Sequence, residues 1–302
     1  MQPDGEDLSA AHVAVRESVL MMPGDGASLP GIVAEPADST CASDIGVVII
    51  VGGPQYRVGS HRQFVQLARA LAGAGFPALR FDCKGMGDGD GDVRTFEHIG
   101  PDVHAAIDGF LKSQPHLQRV VLWGLCDAAS AALMYGAEHR QVAGLALANP
   151  WVRSSASMAA VTIKHYYFAR VLQKNFWAKL LGGSFDWKAS WRSFSDTLGR
   201  LQAAAKATEK GDVADFQTKM AHGLSSFRGP VLLLLSGDDL TAREFVDYTA
   251  SAAAWKGLLE SNRVMRVDLP ESDHTFSRRI WKDQVEDCTI RWIREFVTPL
   301  PR

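Results

Sequence analysis

Short apolar runs alternate with longer amphipathic stretches along most of this chain. The runs are Gly46–Val51, Phe76–Asp82, Arg119–Gly124, Val142–Ala148, Val231–Ser236 and Arg263–Leu269. They are rich in Val, Ile and Leu, of strand length, and far too short to span a bilayer. Helical patterns fill the intervals near His61–Ala74, Thr95–Gln114, Asp127–His139, Ala242–Leu259 and Arg278–Val297. Apolar strands separated by helices predict βαβ units, hence an α/β fold with a mostly parallel sheet covered on both faces. Two earlier segments, His12–Leu20 and Ser28–Glu35, alternate more weakly and predict an antiparallel hairpin on the sheet edge.

The alternation stops at Trp151 and resumes only after about Arg228. Trp151, Trp177, Trp187 and Trp191 are half of the eight tryptophans, and residues 151–200 carry eight Lys/Arg against two acids. This change of composition predicts a helical cap over 151–228. It would be inserted between two strands of a core made of 1–150 and 229–302.

Composition narrows the function classes. A net charge of -2 over 302 residues offers no general attraction for nucleic acid. Cys41, Cys83, Cys126 and Cys288 are scattered, which suits neither a disulfide framework nor a zinc site. The acidic opening MQPDGEDLSAAHVAV shows no secretory leader, so a reduced, cytoplasmic protein is expected. Asp88-Gly-Asp-Gly-Asp92 hints at calcium, but Val93 and Ile99 stand where an EF-hand loop needs glycine and glutamate. With no HExxH and no GxxxxGK[ST], neither metal nor cofactor is expected.

The chemistry gathers where strands end, since open α/β sheets bind ligands beyond their carboxyl edge. Val121-Leu-Trp-Gly-Leu-Cys-Asp-Ala-Ala-Ser-Ala-Ala-Leu133 runs from strand into helix with Cys126 on the corner. Gly124-x-Cys126-x-Ala128 follows the G-x-S-x-G nucleophile elbow, whose flanking positions must be small. An anion is favoured at a helix N-terminus, and thiolate is the better nucleophile near neutral pH. The Asp127 side chain is expected to point away and cap the helix. Taken alone, Cys126 reads equally well as a small packed hydrophobe; its partners tip the reading. His274, in Glu271-Ser-Asp-His-Thr-Phe-Ser277, follows one strand, and Asp238-Asp239 follow another. Cysteine, acid, histidine is the chain order of α/β-hydrolase triads. Both aspartates stand at the right edge, and motif position favours Asp239. Gly53 and Asp127 would supply the oxyanion N–H groups, because Pro54 has none. Gln55, Tyr56, Tyr166, Tyr167 and Trp177 are candidates for the substrate pocket.

These stretches resemble the α/β-hydrolase superfamily over nearly the whole chain. Val51-Gly-Gly-Pro54 is similar to the His-Gly-Gly-Pro oxyanion loop, and Phe81-Asp-Cys-Lys-Gly-Met-Gly-Asp88 to Asp-x-Arg-Gly-x-Gly-x-Ser. More narrowly, GGPQYRVGSHRQFVQLARALA, LWGLCDAASA, LSGDDLTAREF and SDHTFS resemble the hydrolases associated with bacterial exosortase systems. That resemblance implies an ester or thioester hydrolase linked to exopolysaccharide production and names no substrate; a small-molecule or carrier-bound acyl substrate is expected from the site chemistry. The cysteine departs from the commoner serine, as in dienelactone hydrolases. A basic cap could also meet an anionic partner or a membrane surface. Acyl transfer at the same site, and a non-catalytic binding module on the same fold, are the alternatives.

Overall fold

In a computed structural model, which describes residues 14–53, 55–153 and 216–298, every apolar run becomes a strand. The strands are β1 (Val15–Pro23), β2 (Ser28–Pro36), β3 (Ile45–Ile50), β4 (Ala78–Phe81), β5 (Arg119–Leu125), β6 (Val142–Ala148), β7 (Val231–Asp238) and β8 (Val264–Asp273). They form one sheet in the order β1-β2-β4-β3-β5-β6-β7-β8. The β1–β2 hairpin joins β4 antiparallel, and every pair from β4 to β8 is parallel. This is the α/β-hydrolase fold. β3 and β4 are buried at every position, whereas β1 keeps one face towards solvent. That contrast explains why the central runs are uniformly apolar and the edge hairpin alternates only weakly.

Six helices accompany the strands among the described residues: α1 (Gln63–Gly73), α2 (Gly100–Ser113), α3 (Asp127–Tyr135), α4 (Phe216–Ser226), α5 (Leu240–Ser251) and α6 (Arg279–Trp292). The core between α1, α6 and the sheet is built around Trp123, Phe64 and Trp292, with Phe64 and Trp123 edge to face at 6.0 Å. Each fully buried Val, Ile or Leu there contributes about 1.5–3 kcal/mol.

The chain divides into two compact units, one of Met1–Trp151 with Asp215–Arg302 and one of Val152–Ala214. Helix α4, expected within the insertion, belongs to the first unit. Gly223 lies so close to α3 that a Cβ there would strike the Leu133 carbonyl oxygen. Residues 154–215 of the predicted cap, with Tyr166, Tyr167 and Trp177, lie outside the described residues.

The order of connections places the site. From β3 the chain turns to β4 on one side, then returns past β3 to β5 on the other. Ligands bind at such a reversal. Ile50 of β3 pairs with Gly124 of β5, so the loop after β3 and the turn after β5 leave the sheet side by side.

Candidate active site

Cys126 sits between β5 and α3 with φ 62° and ψ −125°. A non-glycine residue in such a conformation costs about 1–3 kcal/mol and persists only when its surroundings hold it. Here the Cys126 N–H donates to the Ala148 carbonyl at 2.9 Å, and its carbonyl accepts from the N–H of Ala129 at 3.1 Å and of Trp151 at 3.2 Å. The small neighbours are required by the turn. A Cβ on Gly124 would lie 2.5 Å from the backbone carbonyl of Ala128. The thiol stays partly exposed at the positive end of α3.

His274 faces this corner from the turn after β8. Its Nδ1 lies 2.8 Å from Asp239 Oδ2, and the Cys126 thiol is the second group that acts on the same imidazole. The bond to Asp239, then the influence of the Cys126 thiol, raise the His274 pKa to about 10 against the opposing effect of burial. Asp239 is also the N-cap of α5, accepting from Thr241 N–H at 3.0 Å and Ala242 N–H at 3.2 Å. Burial pushes its carboxyl pKa up, but His274 and these two N–H groups outweigh it, and the net shift is downward. Capping and holding the imidazole are thus one side chain's work. Asp238 is exposed and pairs with Asp273 in the β7–β8 ladder instead.

A buried clamp that sequence reasoning missed fixes the His274 turn. Asn149, at the end of β6 with φ 44°, donates from Nδ2 to Ser236 Oγ at 2.9 Å and to the His274 carbonyl at 3.2 Å. Its Oδ1 accepts from Ser236 N–H at 2.8 Å, and Ser236 Oγ donates to the Asp273 carbonyl at 3.0 Å. Three strand ends are tied together through one amide. The available signal was an Asn-Pro pair directly after an apolar run, which reads as an ordinary strand exit.

The loop after β3 brings Gly53 to the elbow, but the Asp127 side chain does not point away from the site. It turns back, and its Oδ2 accepts from the Gly53 N–H at 2.8 Å. Burial raises the Asp127 pKa; the N–H groups of Gly53, Ala128 and Asp127 itself, and the charge of His274, only partly offset that. The loop beyond is anchored by fully buried Asp82, which accepts from Arg57 N–H at 2.7 Å, from Asp88 N–H at 3.0 Å and from the Arg57 guanidinium. Gln55 is half-buried with Oε1 unpartnered; Tyr56 is exposed, its hydroxyl donating to Asp88 at 3.0 Å.

The other candidate nucleophiles are placed elsewhere. Cys83 is fully buried, and burial together with the charges of Asp102, Asp82 and Asp127 pushes its thiol pKa far up. Ser130, one turn into α3, is buried and exchanges hydrogen bonds with both backbone groups of Trp151, at 2.7 and 2.9 Å. Among the described residues no cluster of three His, Cys, Asp or Glu could hold a metal ion, and no helix is long and apolar enough to cross a membrane.

Known proteins fit this architecture. The esterase Pf2001 of Pyrococcus furiosus superposes with a TM-score of 0.63 at 14% identity, covering 95% of each chain. Est1E of Butyrivibrio proteoclasticus, solved with ferulic acid, gives 0.59 at 17% identity, covering 91% of this chain and 100% of that one. A dienelactone hydrolase from Anabaena variabilis gives 0.58 at 14% identity, with 94% and 99% covered. At such identities the likeness is one of fold. No curated protein matches the sequence. The family model described as serine aminopeptidase, S33, matches residues 43–262, and Cys126 stands at the elbow where that description leads one to expect serine. With most of the core inside that match and the strand order of the fold complete around it, the chain belongs to the serine aminopeptidase S33 family and is an α/β-hydrolase.

Proposed function

We propose that this hydrolase cleaves an ester or thioester through an acyl-cysteine intermediate on Cys126, with His274 as acid and base and Asp239 orienting the imidazole. The observation that carries the reading is the Asp239–His274 hydrogen bond at 2.8 Å, whose imidazole is also influenced by the thiol of a strained residue at a helix N-terminus. A protonated His274 stabilises negative charge on the sulfur beside it. Sγ attacks the carbonyl carbon, and the oxyanion is held by the Gly53 and Asp127 N–H groups. As the intermediate collapses, the proton on His274 passes to the leaving alkoxide or thiolate. Water then enters, His274 takes its proton, and the resulting hydroxide releases the acid and restores the sulfur.

Thioesters suit the first step well, because exchange of one thiol for another is nearly isoenergetic. A site that excluded water would pass the acyl group to another acceptor and act as an acyltransferase. The proposal extends to a cytoplasmic protein of an exosortase or exopolysaccharide system, using neither metal nor cofactor. Its acyl substrate would be small or carrier-bound, with Gln55 and Tyr56 beside the site among the residues that contact it. The basic cap would meet an anionic carrier or membrane surface.

The second reading, a non-catalytic binding module, has one observation in its favour: Gly53 N–H is already occupied by Asp127. Intact mass after brief exposure to activated acyl esters and acyl thioesters decides between them. One added acyl group on the wild type, absent in Cys126→Ala, is expected. A wild type that neither acylates nor alkylates with iodoacetamide would sink the enzyme reading and leave the binding module.

A further inference from the structure

The position of Asp127 is unusual for a residue whose main chain is to hold an oxyanion. Gly53 and Asp127 supply the two N–H groups that follow β3 and β5 at the switch point, and the Gly53 N–H already donates to Asp127 Oδ2 at 2.8 Å. The glycine pair is shaped to receive it. A Cβ on Gly52 would fall on Asp127 Oδ1, and Gly53, at φ 59°, leaves its N–H turned towards Oδ2. A carboxylate oxygen and the oxyanion of a tetrahedral intermediate have the same charge and similar hydrogen-bonding demands. Two of them cannot share one N–H.

We infer that Asp127 is an intramolecular stopper of the oxyanion hole: its carboxylate holds the Gly53 N–H, a donor that a substrate carbonyl needs, and a substrate must displace it before Cys126 can be acylated. The inference rests on the nucleophile reading of Cys126. It makes Asp127 a specificity-determining residue. Simple neutral esters bring nothing that moves the carboxylate, so they react slowly. An acyl substrate whose remote contacts supply the displacement energy reacts fast, as binding energy is commonly used.

Two reagents separate this role from a general effect of charge on the thiol. Acylation by p-nitrophenyl acetate passes through an oxyanion, whereas alkylation by iodoacetamide does not. A nearby charge that altered only the sulfur would change both rates together. One oxyanion donor is worth about 10²–10³ in rate, so in Asp127→Ala the ratio of acylation to alkylation at Cys126 should rise at least ~10-fold. Asp127→Asn keeps an oxygen that can still accept from Gly53 N–H without the charge, so its ratio should fall between the two. The Gly53 amide resonance of ¹⁵N-labelled protein should move upfield and exchange faster in Asp127→Ala. An unchanged or lowered ratio in a folded Asp127→Ala protein overturns the inference, as does a Gly53 amide indifferent to the substitution. If Cys126 reacts with neither reagent in any variant while the Gly53 amide still responds, the nucleophile reading falls and the stopper with it. The hydrogen bond alone would remain.

Discussion

Replacing Asp239 by asparagine asks one acceptor oxygen to do what the carboxylate does with two. Oδ1 accepts from Thr241 N–H, while Oδ2 serves both Ala242 N–H and His274 Nδ1. An asparagine that keeps its oxygen on the helix cap presents its NH₂ to the imidazole. The ring then adopts the tautomer with Nδ1 as acceptor and its proton on Nε2, and loses the vacancy that takes a proton from the thiol. An asparagine that instead turns its oxygen to His274 leaves the buried Thr241 N–H facing NH₂. One unsatisfied buried donor costs about 1–3 kcal/mol, so stability should fall by about 1–2 kcal/mol in either case. The kinetic effect is larger. The corresponding change in a serine triad lowers turnover by about 10⁴, and a thiol, needing less help from a base, should lose about 10²–10⁴ in acylation rate.

The largest cause of the raised His274 pKa disappears with the charge, so that pKa should drop from about 10 towards its ordinary value. The sign for stability follows from the direction of the shift. A histidine pKa raised in the folded state contributes stability fully below its unfolded value near 6.5, and loses it as pH rises through about 10. Asp239→Asn should flatten that part of the stability curve. Stopped-flow acylation across pH, together with urea denaturation, reads both effects. An Asp239→Asn protein that acylates within about threefold of the wild type would refute the reasoning, since the imidazole would then not need the carboxylate.

Two other substitutions probe the frame around the site. Glu286 on α6 is buried with Oε1 unpartnered, and burial raises its pKa to about 7. The folded state therefore holds a proton that the unfolded state releases between pH 4.5 and about 7, and stability should fall across that range. At 1.36 kcal/mol per unit the loss is at most ~3 kcal/mol; Glu286→Gln should remove it, matching the wild type at pH 4 and exceeding it at pH 8. Parallel pH–stability curves for the two proteins would count against this. In Gly124→Ala the new methyl would meet backbone of α3 that cannot yield, at 2.5 Å from the Ala128 carbonyl. A loss of about 2–3 kcal/mol and a fall in Cys126 acylation are expected, and a variant of unchanged melting temperature and rate would show that the elbow is looser than its geometry implies.

The strands, the elbow and the triad candidates were legible in the sequence because their signals are local. A run such as Ile45–Ile50 is buried on both faces, so its composition alone marks it as a central strand. The need for small residues around Cys126 arises within a few positions of it, and the Gly124-x-Cys126-x-Ala128 spacing carries that need openly. The choice between Asp238 and Asp239 was less visible. It depends on the register shift between Ser236 and Asp238, which extends the β7–β8 ladder to Asp238↔Asp273 and leaves Asp239 to face His274.

By itself, then, the chain's pattern determined which segments are strands, which residues end them, and that a cysteine, an acid and a histidine would stand at one edge. Tertiary structure decided where α4 belongs, that Asn149 clamps the His274 turn, and above all where the Asp127 carboxylate goes. Gly53 and Asp127 are 74 residues apart and meet because β3 and β5 pair with Ile50 opposite Gly124. A side chain's local options are set by its neighbours in sequence. Which option it takes is set by the hydrogen-bond donors that sheet register brings beside it.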